Sequence, residues 1–375
     1  DLTDNIVHLV LARLPDAPAG PKGLSLFLVP KFYADGTRSA VHCERIEEKM
    51  GIHGSPTCVM RFDEARAWLV GEMGRGLNAM FVMMNAARLH VALQGVGLLD
   101  AAWQKADAYA HERRQMRAPR SKGVSQNLTS EPGTAPADFI IEHPAVRRIL
   151  DTQRAWVDGA RVLAYETGLA LDEAKYHPDA ARREAAQRWC ALITPILKAS
   201  CTDQGFHGAS ECLQVFGGHG YVSEWGIEQN VRDARIAMIY EGTNEIQAID
   251  LLMRKVVSDG GAAMNSMLDS LSTQLSNAKT HEAHVLQLFS QLKATTQTCL
   301  QAAQQSDGQV RLSWIAGDYL RMTTLALLAW SWTRIEAAKP NDTTRWHAPA
   351  TALRAWVLPE FEMRVSIIRA QFNPA

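Results

Sequence analysis

The chain has 375 residues, with 39 basic and 40 acidic side chains and a formal net charge of −1. It has no long basic run that could follow a phosphate backbone, so nucleic acid is excluded as its main partner. With 47% hydrophobic residues, it can bury a large core in two or three domains. No apolar run is long enough to span a membrane.

The six cysteines are spread along the chain without a CxxC pair: Cys43, Cys58, Cys190, Cys201, Cys212 and Cys299. This spacing favours reduced thiols and cytoplasmic localisation over a disulfide framework, and it predicts no bound metal. The chain opens without Met and leads from polar residues into the apolar "NIVHLVLARLP". We interpret this start as the loss of an N-terminal portion, so a targeting peptide cannot be judged.

Residues 1–70 are predicted to form antiparallel β structure, because short apolar runs alternate there with Pro/Gly/Asp clusters. The runs are "IVHLVLA", "LSLFLVP", "VHCERI" and "CVMRFDEARAWLV". From residue 77 onward, helical periodicity predicts a helical bundle. The predicted helices are 77–117, 143–176, 179–216, 244–258, 264–305, 307–338 and 345–372. The polar stretch 120–138 is predicted to be a long surface loop. The predicted fold class is therefore α+β, mainly α.

The stretch "LQVFGGHGYVSEWG" combines a helix end with glycines that leave the backbone unshielded. Gln214, Gly217 and Gly218 would allow close approach of a cofactor's phosphates or ring. The alternative is an ordinary helix C-cap followed by a turn.

Two arginines lie in helical stretches that have different surroundings. Arg113, in "AYAHERRQM", could offer its guanidinium to a pyrophosphate beyond its own subunit, or could pair with a nearby acid in solvent. Arg88 lies inside the apolar "MNAARLHVALQGVG", where it predicts either a functional site or a buried ion pair.

The stretch "MIYEGTNEIQAID" places Glu241 after an apolar run and before Gly242. Thr243 or Asn244 can cap the following helix, and an acid near a helix N-terminus interacts favourably with the helix dipole. Alternatively, a carboxylate shielded from water is suited to proton transfer. The residues alone leave both interpretations open.

Taken in order, these stretches resemble the acyl-CoA dehydrogenase family over about residues 1–258. The motifs are "KMGIHGSPTC", "GEMGRGL", the helix from Arg88 to Gly97, "YAHERRQM", "QVFGGHGYVSE" and "VRDARIAMIYEGTNEIQ". The resemblance implies part of a middle β-domain at 1–70 and a helical bundle with the cofactor and catalytic motifs at 71–258. The helices after residue 259 resemble the C-terminal extension of a large bacterial subgroup, so 259–375 is expected to be an additional helical segment.

The resemblance implies an FAD-dependent enzyme that introduces an α,β double bond into an acyl-CoA thioester. Glu241 stands at the position of the base that removes the α-proton, while the β-hydrogen leaves as hydride to the flavin. Gly242 and Arg88 are expected near the substrate. Met116 replaces the family's usual phenylalanine. The positions expected to contact FAD are Arg113, Met116, His143, Gln214, Gly217, Gly218, Thr243 and Glu245.

The resemblance also implies partners. Arg113 is expected to reach a flavin held by a neighbouring subunit, which predicts a homodimer or homotetramer. The electron acceptor is expected to be electron-transfer flavoprotein, and the substrate is expected to be a medium-chain, long-chain or thioether-containing acyl-CoA.

Three other functions are compatible with a family resemblance. An acyl-CoA oxidase would share the base and flavin. A non-enzymatic DNA-associated flavoprotein of the same fold would need a basic cluster, which 259–375 lacks. A purely architectural half-subunit is disfavoured because Glu241 is retained.

Overall fold

A computed structural model describes residues 2–119, 137–275, 280–338 and 343–372. The chain divides into two compact units, Asp1–Arg88 and Leu89–Ala375. Most of the predicted loop 120–138 lies outside the described residues. Within the described ranges, no helix is both long enough and apolar enough to cross a bilayer.

The first unit contains antiparallel β structure, as the alternating apolar runs predict, and its strands form two small sheets. Its strands are β1 (Val7–Arg13), β2 (Leu24–Pro30), β3 (Val41–Ile46), β4 (Cys58–Phe62) and β5 (Trp68–Val70). One sheet has the order β1-β2-β5 and the other pairs β3 with β4. The apolar run 58–70 therefore forms two strands that lie in different sheets. Glu64, which has a left-handed φ of 56°, lies at the corner between them.

The second unit is a helical bundle, and α1 runs into it from the first unit. The helices are α1 (Gly76–Glu112), α2 (Pro144–Tyr176), α3 (Ala180–Val215), α4 (Ile227–Arg235), α5 (Asn244–Ile249), α6 (Ala262–Ser272), α7 (Thr280–Ala303), α8 (Gly308–Ala338), α9 (Thr343–Ala352) and α10 (Glu360–Phe372). The prediction of an antiparallel sheet followed by a mainly helical bundle is confirmed.

Two of the predicted helices are not continuous. The segment 264–305 is divided between α6 and α7, and 345–372 is divided between α9 and α10. A π-helical turn, Leu353–Val357, follows α9, and α10 begins directly after Pro359. Proline has no backbone N–H to donate, so α10 starts a new set of hydrogen bonds at this point. A second π-helical turn, Asp250–Val257, continues α5.

The C-terminal helices share one hydrophobic core with the rest of the bundle. Trp330 and Trp332 on α8 are almost fully buried. The indole Nε1 of Trp332 donates a 2.9 Å hydrogen bond to the carbonyl of Ala155 on α2. A Cβ at Gly159 of α2 would come within 2.4 Å of the Leu328 side chain, so α2 and α8 pack closely there. The segment after residue 259 is thus an integral part of the bundle.

An ion-pair cluster joins α8 to α10 around Glu360. Arg321 donates two hydrogen bonds to the Glu360 carboxylate, at 2.9 and 2.8 Å. Arg364 bridges Glu360 and Asp318, at 2.6 and 2.8 Å. Burial alone would raise the pKa of Glu360, but the hydrogen bonds and charges of Arg321 and Arg364 outweigh it and lower that pKa.

Replacement of Glu360 should destabilise the C-terminal helices. We expect Glu360→Gln to lower the free energy of unfolding by about 2 kcal/mol at pH 7, because two partly buried arginines lose their shared carboxylate. The pKa of Glu360 is lowered in the folded state. Its contribution is therefore complete above the unfolded carboxyl pKa of about 4.3 and is lost as the pH falls through the folded value.

This expectation is tested by urea denaturation at pH 7 and in acid. The proteins compared are the wild type, Glu360→Gln and the exposed control Glu362→Gln. The difference between the wild type and Glu360→Gln should shrink in acid. Equal stability of all three proteins at pH 7 would contradict it.

Candidate active site

A tight chain reversal precedes α5. Glu241 has φ 55° and Gly242 has φ 86°, so two consecutive residues are left-handed. For a residue with a Cβ, this conformation costs roughly 1–2 kcal/mol. Such a conformation persists only where the surrounding structure holds it in place, and it is found most often at functional sites.

Two buried side chains hold the carbonyl groups of this reversal. The Lys198 ammonium on α3 donates a 2.7 Å hydrogen bond to the Gly242 carbonyl. The Gln247 amide on α5 donates to the carbonyls of Glu241 and Gly242, at 3.2 and 3.3 Å. Both side chains belong to residues that are completely inaccessible to solvent. The reversal is thus fixed from two helices.

The helix cap and the acidic side chain are separate features of this segment. The Thr243 hydroxyl accepts a hydrogen bond from the Ile246 N–H, and Thr243 is the N-cap of α5. The prediction that Thr243 or Asn244 caps the helix is therefore met by Thr243. Glu241 lies before the cap, and its Oε2 is buried without a hydrogen-bond partner among the described residues. A buried polar atom without a hydrogen-bond partner destabilises the folded protein, so the position of this oxygen indicates a role other than stability.

The neighbour of Glu241 responds to the same environment. The Tyr240 hydroxyl donates a hydrogen bond to the Gln94 side chain on α1. Burial raises the pKa of Tyr240, and the negative charge of Glu241 raises it further. Tyr240 is therefore a neutral phenol at neutral pH, next to the Glu241 carboxylate.

A cavity of about 580 Å³ collects six of the residues expected to contact a cofactor. They are Arg113, Met116, His143, Gln214, Gly217 and Gly218. We call this space the glycine cavity. His143 is oriented by a 2.9 Å hydrogen bond between its Nε2 and the Gln115 carbonyl, so Nε2 carries the proton. Residues far apart in the sequence thus meet at one site.

An aromatic cluster supports the glycine cavity. Tyr109 near the end of α1 stacks on Phe216, with ring centroids 4.3 Å apart. Its hydroxyl lies 2.9 Å from Nδ1 of His219, which stacks on Trp225. These contacts fix the glycine segment against α1. Phe216, His219 and Trp225 are not among the predicted site residues, although all three belong to the stretch "LQVFGGHGYVSEWG".

The glycines of this segment differ in the space around them. A Cβ added at Gly217 or Gly218 would meet no atom within 4 Å. A Cβ at Gly220 would lie 2.6 Å from the Leu213 carbonyl oxygen. The first two therefore leave open space beside the cavity, whereas Gly220 is required for local packing.

Glu245 lines a second cavity, of about 450 Å³, with residues of α3, α8 and α10. Asp203 of α3 also lines it, eleven residues before Gln214 and therefore about 16 Å away along the helix. Neither Thr243 nor Glu245 is among the described residues that line the glycine cavity. Arg88 is the last residue of the first unit, and its Nε is buried without a hydrogen-bond partner among the described residues. Its role near the substrate stays a prediction.

The cysteines are free, and those on the helices are buried. Burial raises the pKa of the Cys190 thiol to about 11 and that of Cys201 to about 12, so both remain protonated at neutral pH. Within the described ranges, no group of three or more His, Cys, Asp or Glu side chains is placed to hold a metal ion.

Comparison with known protein families identifies the domain that contains Glu241. Residues 134–256 match the model of the acyl-CoA dehydrogenase C-terminal domain. This span is an acyl-CoA dehydrogenase C-terminal domain. It includes His143, Gln214, the glycines and the Glu241 reversal, but not Arg88, Arg113 or Met116. The family resemblance that the sequence motifs predict is confirmed.

Full-length relatives extend the similarity beyond this domain. The chain is 46% identical to 3-methylmercaptopropionyl-CoA dehydrogenase of Ruegeria pomeroyi over 70% of its own length and 43% of that protein. It is 38% identical to the broad-specificity linear acyl-CoA dehydrogenase FadE5 of Mycobacterium tuberculosis, again over 70% of the chain and 44% of the relative. The chain thus spans less than half the length of these acyl-CoA dehydrogenases.

A solved structure shows the same fold over almost the whole chain. Acyl-CoA dehydrogenase complexed with FAD from Bacillus anthracis superimposes with a TM-score of 0.71 and 20% identity, covering 98% of this chain and 62% of that one. The C-terminal helices therefore belong to the shared fold and are not an unrelated addition.

The glycines provide a matched pair for testing the local packing. Gly218→Ala should change the free energy of unfolding by less than about 1 kcal/mol, because its Cβ enters open space. Gly220→Ala should destabilise by about 1–3 kcal/mol, because its Cβ collides with the Leu213 carbonyl. Chemical denaturation measures the free energy of unfolding of the two variants. Equal values would show that Gly220 is not packed against Leu213 as described.

Proposed function

We propose that the protein carrying this chain is an FAD-dependent acyl-CoA dehydrogenase with Glu241 as its base. The observation that carries the proposal is the Glu241 carboxylate, whose Oε2 is buried and has no hydrogen-bond partner in the described part of the chain. It lies on a left-handed reversal held by two helices. A cap or an ion pair would have satisfied that oxygen. A base must instead keep a lone pair available for the proton it removes.

The residues present fit FAD as the cofactor. The glycine cavity presents the guanidinium of Arg113, the amide of Gln214 and an uncovered backbone at Gly217 and Gly218. A planar guanidinium and exposed backbone groups are suited to a pyrophosphate. We assign the ADP part of FAD to this cavity, with Met116 and His143 at its edge. When bound, the flavin accepts the hydride that leaves the substrate.

The separation of the two cavities supports a flavin shared between subunits. Thr243 and Glu245 follow the base directly, and we assign them to the flavin of their own subunit. Arg113 and Gln214 then serve the flavin of a neighbouring subunit, which requires a homodimer or homotetramer.

The reaction removes two hydrogens from neighbouring carbons of the acyl chain. Glu241 takes the α-proton on its carboxylate, the β-hydrogen leaves with its electron pair, and the α,β double bond forms. Exclusion of water strengthens a carboxylate as a base in this step. The family resemblance assigns the Glu241 backbone N–H to the thioester carbonyl, where it stabilises the developing negative charge. Gly242 gives the chain room to turn beside the substrate, and Arg88 is assigned to the substrate side.

The substrate class follows from the relatives. One acts on 3-methylmercaptopropionyl-CoA and another on linear acyl-CoA, as their names state. We therefore propose a linear or thioether-containing acyl-CoA as the substrate. The family resemblance supports electron-transfer flavoprotein as the electron acceptor, and the dispersed cysteines support a cytoplasmic location. An oxidase would use the same base, and rapid consumption of oxygen with release of peroxide during turnover would identify one.

The role of Glu241 is tested by Glu241→Gln in the complete protein. The amide keeps the shape and the backbone N–H but has no basic carboxylate, so flavin reduction by acyl-CoA should slow by at least ~10²–10⁴-fold. FAD and acyl-CoA should still bind. Anaerobic stopped-flow absorbance measures the rate, with Glu184→Gln on the exposed face of α3 as the control. Reduction at the wild-type rate would rule out Glu241 as the base.

The role of Arg113 is tested by Arg113→Ala. Loss of the guanidinium should weaken FAD binding at least about tenfold, equal to roughly 1.4 kcal/mol, without changing the fold. Arg182→Ala removes an exposed arginine that pairs with Glu173 and serves as the control. Equal FAD dissociation constants for the two variants, measured by flavin fluorescence, would remove Arg113 from the cofactor site.

A further inference from the structure

Lys198 is an unusual residue in the centre of the bundle. It lies on α3 between Leu197 and Ala199, and no part of it is accessible to solvent. Burial of an ammonium group is energetically costly, and an apolar side chain of similar size often gives an equally or more stable protein at such a position. Its presence is therefore not explained by core packing alone.

The contacts of Lys198 converge on the reversal that carries Glu241. Its Nζ donates to the Gly242 carbonyl at 2.7 Å and to Oδ1 of Asn244 at 3.1 Å. The Asn244 amide is itself fixed, since its Nδ2 donates to the Ala199 carbonyl at 3.1 Å. The ammonium thus connects α3 to residues on both sides of Thr243, the cap of α5.

We propose that Lys198 is a positioning residue that holds the Glu241–Gly242 reversal in its left-handed conformation. This inference rests on the proposed function of Glu241. Without this donor, the Gly242 carbonyl loses its shortest described hydrogen bond, and Gln247 is the one side chain left that donates to it among the residues the structure describes. The left-handed conformation of Glu241 is intrinsically disfavoured, so its carboxylate then samples orientations away from the substrate. Lys198 acts through the backbone and does not itself touch the reacting atoms.

The primary test is Lys198→Met in the complete protein, because methionine fills a similar volume without donating a hydrogen bond. The rate of flavin reduction at saturating acyl-CoA should fall about 10- to 100-fold, the size of effect expected when a reacting group is misplaced. FAD content and the KM for acyl-CoA should stay within about threefold. This separation of kcat from KM distinguishes a positioning role from general loss of structure.

Lys105→Met is the matched control. Lys105 also donates from Nζ to a glycine carbonyl and an asparagine side chain, those of Gly226 and Asn230, at 2.8 and 2.9 Å. It has no described contact with the Glu241 reversal. Its removal deletes the same kind of bridge elsewhere in the bundle, and flavin reduction should stay within about threefold of wild type.

Gln247→Leu is the second variant, and it decides the question if Lys198→Met does not fold. It removes the other side-chain donor to the same reversal and should slow flavin reduction in the same way. If Lys198→Met folds and its flavin is reduced at the wild-type rate, the positioning role is overturned and the proposed function stays intact. If Lys198→Met does not fold, a wild-type rate of flavin reduction in Gln247→Leu has the same meaning. A wild-type protein that binds FAD but is not reduced by any acyl-CoA would instead refute the proposed function itself.

Discussion

The candidate site depends on one constraint, the left-handed conformation of two consecutive residues, Glu241 and Gly242. A glycine adopts this conformation without strain, but a glutamate does not. The cost is offset by buried donors from α3 and α5, which satisfy the carbonyl groups of the reversal. The result is a carboxylate whose backbone is fixed and whose Oε2 accepts no hydrogen bond from any residue that the structure describes. Such an arrangement is suited to proton removal, because the base is held in place and is not occupied by another partner.

The C-terminal helices contribute to the same region. They share the hydrophobic core of the bundle, and α8 is hydrogen-bonded to α2 through Trp332. Arg321 of α8 and Arg364 of α10 line the cavity that contains Glu245. The extension therefore forms part of the surroundings of the candidate flavin site as well as supporting the bundle.

The sequence predicts most of the helical architecture because long amphipathic and apolar helices have a strong periodic signal. It fails where tertiary contacts decide the local structure. Nothing in the run 58–70 alone indicates that β4 and β5 pair with different strands, and the interruption after α9 depends on a π-helical turn. The motifs predict a cofactor site at Arg113, Gln214 and the glycines, and the structure brings them to one cavity. Lys198 is missed because its signal is a single lysine in an apolar helix, and its purpose appears only when Gly242 is placed beside it.

The most direct measurement of the central claim follows the α-proton itself. An acyl-CoA that has sulfur in place of the β-carbon has no β-hydrogen to transfer, so proton removal can be observed separately from flavin reduction. The complete protein, saturated with FAD in heavy water, should exchange the α-hydrogens of this compound for deuterium, and mass spectrometry measures the rate. The account predicts rapid exchange by the wild type and slow exchange by a protein in which glutamine replaces Glu241. Equal exchange by the two proteins would show that another group removes the proton.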